Sequence, residues 1–319
     1  MKPAYSITCM ARATYNLHAL NNEESDGNRT LIRNVGIVVP NSDDNRKEYE
    51  TVNAISGNMF RYIFSSHLAN IALDMGLQIS KSAVDGHPER IWADKKFQAF
   101  LEEDPSIDEV YDKLLTCIAT DICGMATLES TIQVTRHSLL HVGWISGLPE
   151  ITKSDFKQLL RARPPDQSIK PMPFEKSTAS GVYAIAVQVE VPRIGYNDKT
   201  QTYVPSVDRH GRLKALLLAL SYSIVQPLGA SIASQLPHVL GIEGLFVVSS
   251  LHSKAPLVSP LDANYRIRAE KQRALLSQIS DDQDSMMSFH FDTGEQLLES
   301  AFEIANNFEP AKYYHDTDS

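Results

Sequence analysis

Residues 4–15 alternate. Tyr5, Ile7, Cys9, Ala11 and Ala13 fall on one face, with Ser6, Thr8, Met10, Arg12 and Thr14 on the other. The spacing predicts a first strand with one partly polar face. Residues 21–54 read as a long polar loop, interrupted only by the apolar stretch 35–39; a loop of that length in a compact domain is commonly functional. Met59, Phe60, Ile63, Phe64, Leu68, Ile71, Ala72 and Met75 then recur at three- and four-residue steps. This is the buried face of a helix, capped by Ser56 or Asn58 and stopped near Gly76. After a loop over 84–92, a helical block spans about 94–123, its main helix opened by Asp104-Pro105-Ser106. Residues 130–146 suggest a strand, a turn near Thr135 to His137, and further extended chain. The clearest strand is 181–191, followed by a buried helix over 212–226 and a short buried strand over 245–249. Two amphipathic helices, 264–279 and 293–307, close the pattern around an acidic linker.

With its insertions removed, the order is βαββαβ, so the expected fold is α+β and RRM-like, that is, ferredoxin-like. No repeat of solenoid length interrupts this reading.

Composition changes the picture little, but charge changes it more. Apolar residues make up 43% and charged residues 22% of the 319, which is a globular balance. Cys9, Cys117 and Cys123 are the only cysteines, which argues against a disulfide framework. The opening residues lack the pattern of a signal peptide, and the longest apolar run, 215–225, is too short to span a bilayer. A cytoplasmic protein without a membrane partner is expected. The net charge of −9 belongs to the tail: from Asp281 onward ten acids face one base, Lys312. The rest of the chain is neutral overall. Within it, residues 136–176 hold seven bases against four acids, with His137 and His141 alongside. A neutral body can still line one groove with cations.

Patterns of catalysis are missing. The sequence has no P-loop, HExxH, GxSxG or CxxC, so no catalytic residue, metal or cofactor is expected. Asp26, Asp43 and Asp44 in the first loop could hold a metal for phosphodiester cleavage, although solvated loop acids are the simpler reading. Three other features suit an anionic backbone. The first is Ser56-Gly57-Asn58 with Arg61, where helix amides and dipole favour a phosphate, preceded by Arg46 and Lys47. Read alone, it is also an ordinary helix cap. The second is the basic excursion, with Arg136, His137, Arg161 and Arg163, and Arg12 joins them from the polar strand face. The third is the small-residue loop Gly229-Ala230-Ser231, which could equally be a turn. The RNP aromatic motif is absent, so stacking on the sheet face is not supported.

The run SGNMFRYIF, then ATDICGM, then Ser180-Gly181-Val182-Tyr183, then Gly229-Ala230 and Leu236-Pro237-His238 resembles the DevR-type CRISPR-associated backbone subunits. These are the Cas-seven superfamily of type I Cascade effectors, and the resemblance runs through about residues 4–250. It implies an RRM-like palm over 1–76, 129–135 and 179–250, with helical fingers over 77–128. The thumb would be 136–178, and the C-terminal helices with the acidic tail 251–319. It further implies copies that polymerise along a CRISPR guide RNA, other Cascade subunits as partners, and target DNA met through the guide. Ser56, Gly57, Asn58 and Arg61 match the family's guide-backbone contact. Arg46 and Lys47 match its upstream cations, and Gly229, Ala230 and Ser231 its small-residue loop. Ile232 and Ala233 stand where many relatives carry a cation, so this loop would offer backbone amides only. The leading expectation is RNA binding without chemistry, with base pairing reading the sequence. Two alternatives stay open: a metal-dependent ribonuclease of the type III kind using a loop Asp, and a scaffold that binds a basic partner through its acidic tail.

Overall fold

A computed structural model describes residues 1–26, 29–40, 47–127, 132–161, 172–282 and 284–313. The chain opens with β1 (Ser6–His18), β2 (Asn22–Asp26), β3 (Arg29–Ile32), β4 (Asn34–Pro40) and β5 (Lys47–Ile55). Next come α1 (Gly57–Asp74), α2 (Lys81–Val84), α3 (Lys95–Leu101), α4 (Ile107–Thr116) and α5 (Ile118–Cys123). The middle holds β6 (Leu140–Val142), β7 (Ile145–Gly147), β8 (Lys153–Arg161), β9 (Met172–Glu190) and α6 (Arg209–Val225). The last elements are β10 (His238–Ser249), α7 (Tyr265–Leu276), β11 (Met286–Phe291) and α8 (Gly294–Asn307). The architecture is mixed α/β around a largely antiparallel sheet. No described helix is long and apolar enough to cross a membrane.

The main sheet runs β11-β10-β1-β9-β7-β5-β4, with β8, β6 and β3 also pairing with β9. Its centre is β1, antiparallel to β9 on one side and to β10 on the other. Central strands need both faces covered, and two layers do this. On one face Phe60, Phe64 and Leu68 of α1 pack with Leu213, Leu216 and Leu220 of α6 and with Leu297 and Ala301 of α8. On the other, Met10, Leu245 and Val247 pack under Ala255, Val258, Tyr265 and Ala269.

That second layer covers the partly polar face of β1. Thr8 Oγ1 donates to Pro256 O at 2.8 Å, and Ser6 Oγ accepts from the Ala255 amide at 2.8 Å. The polar positions of β1 are therefore the anchor points of the segment that follows β10.

The polar region 21–54 is a further difference. Much of it is strand: Val35 pairs with Val52, Ile37 with Glu50 and Val39 with Glu48. Ile55 and Ala54 then pair with β7, which joins the pair to the sheet. Cross-strand bonding supplies what local composition withheld. The acidic linker likewise contains β11, whose Met286, Phe289 and Phe291 are buried.

The helical block near 94–123 forms three helices, and α4 is the main helix opened by Asp104-Pro105-Ser106. Asp104 adopts a left-handed conformation, and Cys117 is extended between α4 and α5. Ser106 and Glu109 form a reciprocal capping box at the start of α4. β6 and β7 fall inside segment 136–178 and pair with the main sheet.

Candidate nucleic-acid interface

Just past the end of β1 lies Leu20-Asn21-Asn22, and two of the sequence-predicted features bond to it. Asn21 is buried, and its Oδ1 accepts from the Ser56 amide at 2.9 Å and from Ser56 Oγ at 2.8 Å. Ser56 Oγ in turn accepts from the Met59 amide at 3.2 Å, which makes it the N-cap of α1. By helix geometry the Gly57 and Asn58 amides have no partner within α1. From the other side, the Ala230 amide donates to Leu20 O at 3.0 Å, and Asn22 Nδ2 donates to Ser231 Oγ at 3.1 Å. Ser231 sits at φ 56°, in left-handed backbone. The start of α1 and the loop after α6 thus share one junction, the segment Leu20–Asn22, which sequence reasoning passed over. The paired asparagines just beyond a strand were the signal for it.

Both glycines at this junction serve the protein's own packing. A Cβ on Gly57 would lie 2.6 Å from Val142 O, and one on Gly229 would lie 2.6 Å from Leu20 O. At both glycines the close backbone approach is made by the chain's own carbonyls.

Behind the junction runs a buried relay. His18 Nδ1 accepts from the Leu20 amide, so Nε2–H donates to the Tyr183 hydroxyl at 2.8 Å. Tyr183 donates to Asn53 Oδ1 at 2.7 Å. Burial lowers the His18 pKa from 6.5 to about 4, so the ring is neutral at pH 7.

The candidate cations divide. Lys47 is exposed at the start of β5, and His137 is exposed. Arg61 lies one turn into α1, where one guanidinium nitrogen donates to Cys123 O at 2.7 Å. Its Nε has no partner among the described residues. Arg61 borders a groove of about 430 Å³ with Asn58, Ser65, Asn70, His87 and Arg90. Arg90 donates to Gly124 O and Pro88 O. Arg161 has a described backbone only, as part of β8. Arg46 and Arg163 lie outside the described residues, as do Asp43 and Asp44; Asp26 is placed in β2 by its backbone alone.

Two candidates point inward. Arg136 is 3% exposed, and it pairs with Asp121 at 2.6 Å and with Asp198 at 2.8 Å. Asp121, fully buried, also pairs with Arg212 at 2.6 Å and accepts from the Gly195 amide at 2.9 Å. Arg212 donates onward to Leu115 O and Thr116 O, both at 2.7 Å. Burial alone would raise the Asp198 carboxyl, yet bonds to Arg193 and Arg136 hold it below the usual carboxylate range. Arg136 is thus consumed in a knot that ties α4, α5, α6 and the 193–198 segment together, not presented to an outside anion. Asp121 was legible in principle: a lone acid inside the apolar run 117–123 needs a cation. Arg12 is likewise engaged, its Nε donating to Pro260 O at 2.8 Å and its guanidinium lying over the Tyr265 ring. Among the described residues, no three His, Cys, Asp or Glu side chains gather as a metal site would require.

Residues 9–270 match the family described as CRISPR-associated negative auto-regulator DevR/Csa2. The chain belongs to that family. The DevR/Csa2 match takes in the junction, the Arg61 groove and the Asp121 knot, and it ends inside α7. No curated protein matches the chain in sequence. Among solved structures, a chain titled "CRISPR RNA-guided surveillance complex, pre-nicking" is similar at 10% identity and a TM-score of 0.40. The alignment covers 75% of this chain and 78% of that one, a likeness too distant to carry an argument.

Proposed function

We propose that this DevR/Csa2 chain is a non-catalytic backbone subunit of a type I Cascade complex that binds CRISPR guide RNA. Copies line up along the guide and present it for pairing with target DNA, beside other Cascade subunits. The observation that carries this reading is the junction at Leu20–Asn22. It sets the amide-rich start of α1 beside the loop 229–231, with Arg61 one turn away. Backbone amides and a few cations in one groove suit a sugar-phosphate chain held without regard to sequence. Each copy needs few phosphate contacts, because contacts along one tethered strand multiply. This also accounts for the neutral body.

The order β10-β1-β9-β7, with α1 and α6 on one face, supports reading these elements as an RRM-like palm. Fingers then fall at 77–128 and the thumb within 136–178. The part of the thumb that leaves the palm is β8 with the paired portion of β9, Lys153–Arg161 against Met172–Ser180. The layer over 255–269 covers the β1 and β10 face, so guide bases do not lie there.

The test is co-expression with a CRISPR array. The purified protein should carry RNA, with a high A260/A280 ratio, as an assembly of several copies. Arg46→Glu, Lys47→Glu and Arg61→Glu together should strip the RNA and flatten the salt dependence of binding. An assembly that keeps its RNA through all three changes would place the groove elsewhere. A monomer without RNA would end the reading.

A further inference from the structure

Residues 78–117 frame a groove that the RNA-binding reading does not use. It spans about 1030 Å³ between α2, α3 and the end of α4, and it shares no lining residue with the Arg61 groove. Small-molecule sites run to about 1,000 Å³, so a cleft of this size suits a macromolecule. Its walls are fixed by the fold. Asp94 Oδ2 accepts from the Lys81 amide at 3.2 Å and its Oδ1 from the Lys96 amide at 2.9 Å, which ties α2 to α3. The Ser80 hydroxyl lies 3.5 Å from Cys117 Sγ, which ties the start of α2 to the end of α4. Beneath them Ile91, Phe97, Val110 and Leu114 belong to a small core of their own, apart from that of the main sheet. A groove on such a scaffold keeps its shape, so docking costs it little ordering.

Floor and rim differ in chemistry. Ile79 and Phe100 are half-buried over the small core and leave apolar surface in the groove. The Phe100 ring packs 5.9 Å from that of Phe97, and Lys113 Nζ lies over it at 5.8 Å. Lys81, Lys95, Lys96 and Lys113 are exposed around the rim. Against them stand the exposed Asp85 and Glu103, while the Asp94 carboxylate is committed to its two amides. Even with Asp94 included, lysines outnumber acids.

We propose that this groove docks an acidic amphipathic helix of a partner protein. Apolar side chains at three- and four-residue steps enter between Ile79 and Phe100, and Asp or Glu on the flanks meet the lysines. The α3 wall is seven residues long, about 10 Å, which matches two turns of such a helix. A phosphate chain fits less well: it has no use for the apolar floor, and Asp85 and Glu103 repel it. The site lies apart from the Leu20–Asn22 junction and does not depend on guide binding there.

The experiment titrates the full chain into a fluorescein-labelled helical peptide of about four turns, with leucines at three- and four-residue steps and glutamates elsewhere. Anisotropy should show saturable binding. A twin with lysines in place of the glutamates should bind about tenfold more weakly or worse, and so should a twin with serines in place of the leucines. Lys95→Glu with Lys96→Glu, both at exposed positions, should weaken the acidic peptide about tenfold or more while the melting temperature and any bound RNA are unchanged. Benzoylphenylalanine at the exposed position 99 should crosslink to the peptide. Equal affinity for the glutamate and lysine peptides overturns the proposal, as does acidic-peptide binding that the double reversal leaves untouched. A DNA strand that displaces the peptide, and that the double reversal releases, overturns it by giving the groove to nucleic acid. Each of these outcomes leaves the RNA-binding reading standing.

Discussion

Arg136 and Arg61 both donate to backbone carbonyls of α5, Arg136 to Asp121 O and Arg61 to Cys123 O. Arg136 is sealed, its side chain 2% exposed, with two carboxylates and three carbonyls around its guanidinium. Arg61 bonds one carbonyl and lines a groove, only part of its side chain covered. The two arginines are alike as sequence features but opposite as physical objects. A buried guanidinium must be neutralised and fully hydrogen-bonded, so nothing remains for a ligand. A half-covered one keeps donors, and positioning costs it little. Cation counts along the chain therefore overstate the charge an RNA strand would meet. In this protein Arg12, Arg136 and Arg212 all hold the fold together.

Breaking the sealed side should give the largest effect. Asp121→Ala leaves Arg136 and Arg212 buried without their shared carboxylate, and should lower unfolding free energy by about 3–5 kcal/mol. Urea unfolding at neutral pH measures this. A loss under about 1 kcal/mol would mean that the remaining partners, Asp198 for Arg136 and backbone carbonyls for both, support the two guanidiniums.

The junction's own buried group comes next. His18 binds a proton near pH 6.5 when unfolded but only near pH 4 when folded. Its contribution is therefore complete above pH 6.5 and is lost as pH falls toward 4. The full loss is about 3 kcal/mol, at about 1.4 kcal/mol per tenfold change in proton affinity. In His18→Gln, stability measured across that window should depend less on pH. A profile identical to the parent's would remove His18 from the account.

The smallest change in stability belongs to the open side. Arg61→Ala gives up one hydrogen bond and should cost about 1 kcal/mol or less in the same urea assay. A loss as large as that from Asp121→Ala would erase the distinction between the two arginines.

Several elements were legible because their information is local. The apolar steps from Met59 to Met75 gave α1, and Ser56 is its cap as the sequence suggests. The strand near 181–191 and the buried helix near 212–226 are β9 and α6, though β9 begins far earlier, at Met172, and α6 slightly earlier, at Arg209. The strands within 21–54 were illegible, because Val35, Ile37 and Val39 become strand only by pairing with β5. The candidate site was half legible. Ser56 and the loop 229–231 each bond the segment Leu20–Asn22, but Asn21, which holds Ser56, and Asp121, which disarms Arg136, act only through partners distant in the chain.

Sequence by itself determined periodicity, caps, the order of elements and the acidic bias of the tail, because each depends on neighbours within a few residues. Tertiary structure decided which polar groups are turned inward. Thr8, Arg12 and Arg136 are solvated or sealed according to what packs against them, and residues distant in the chain supply that packing.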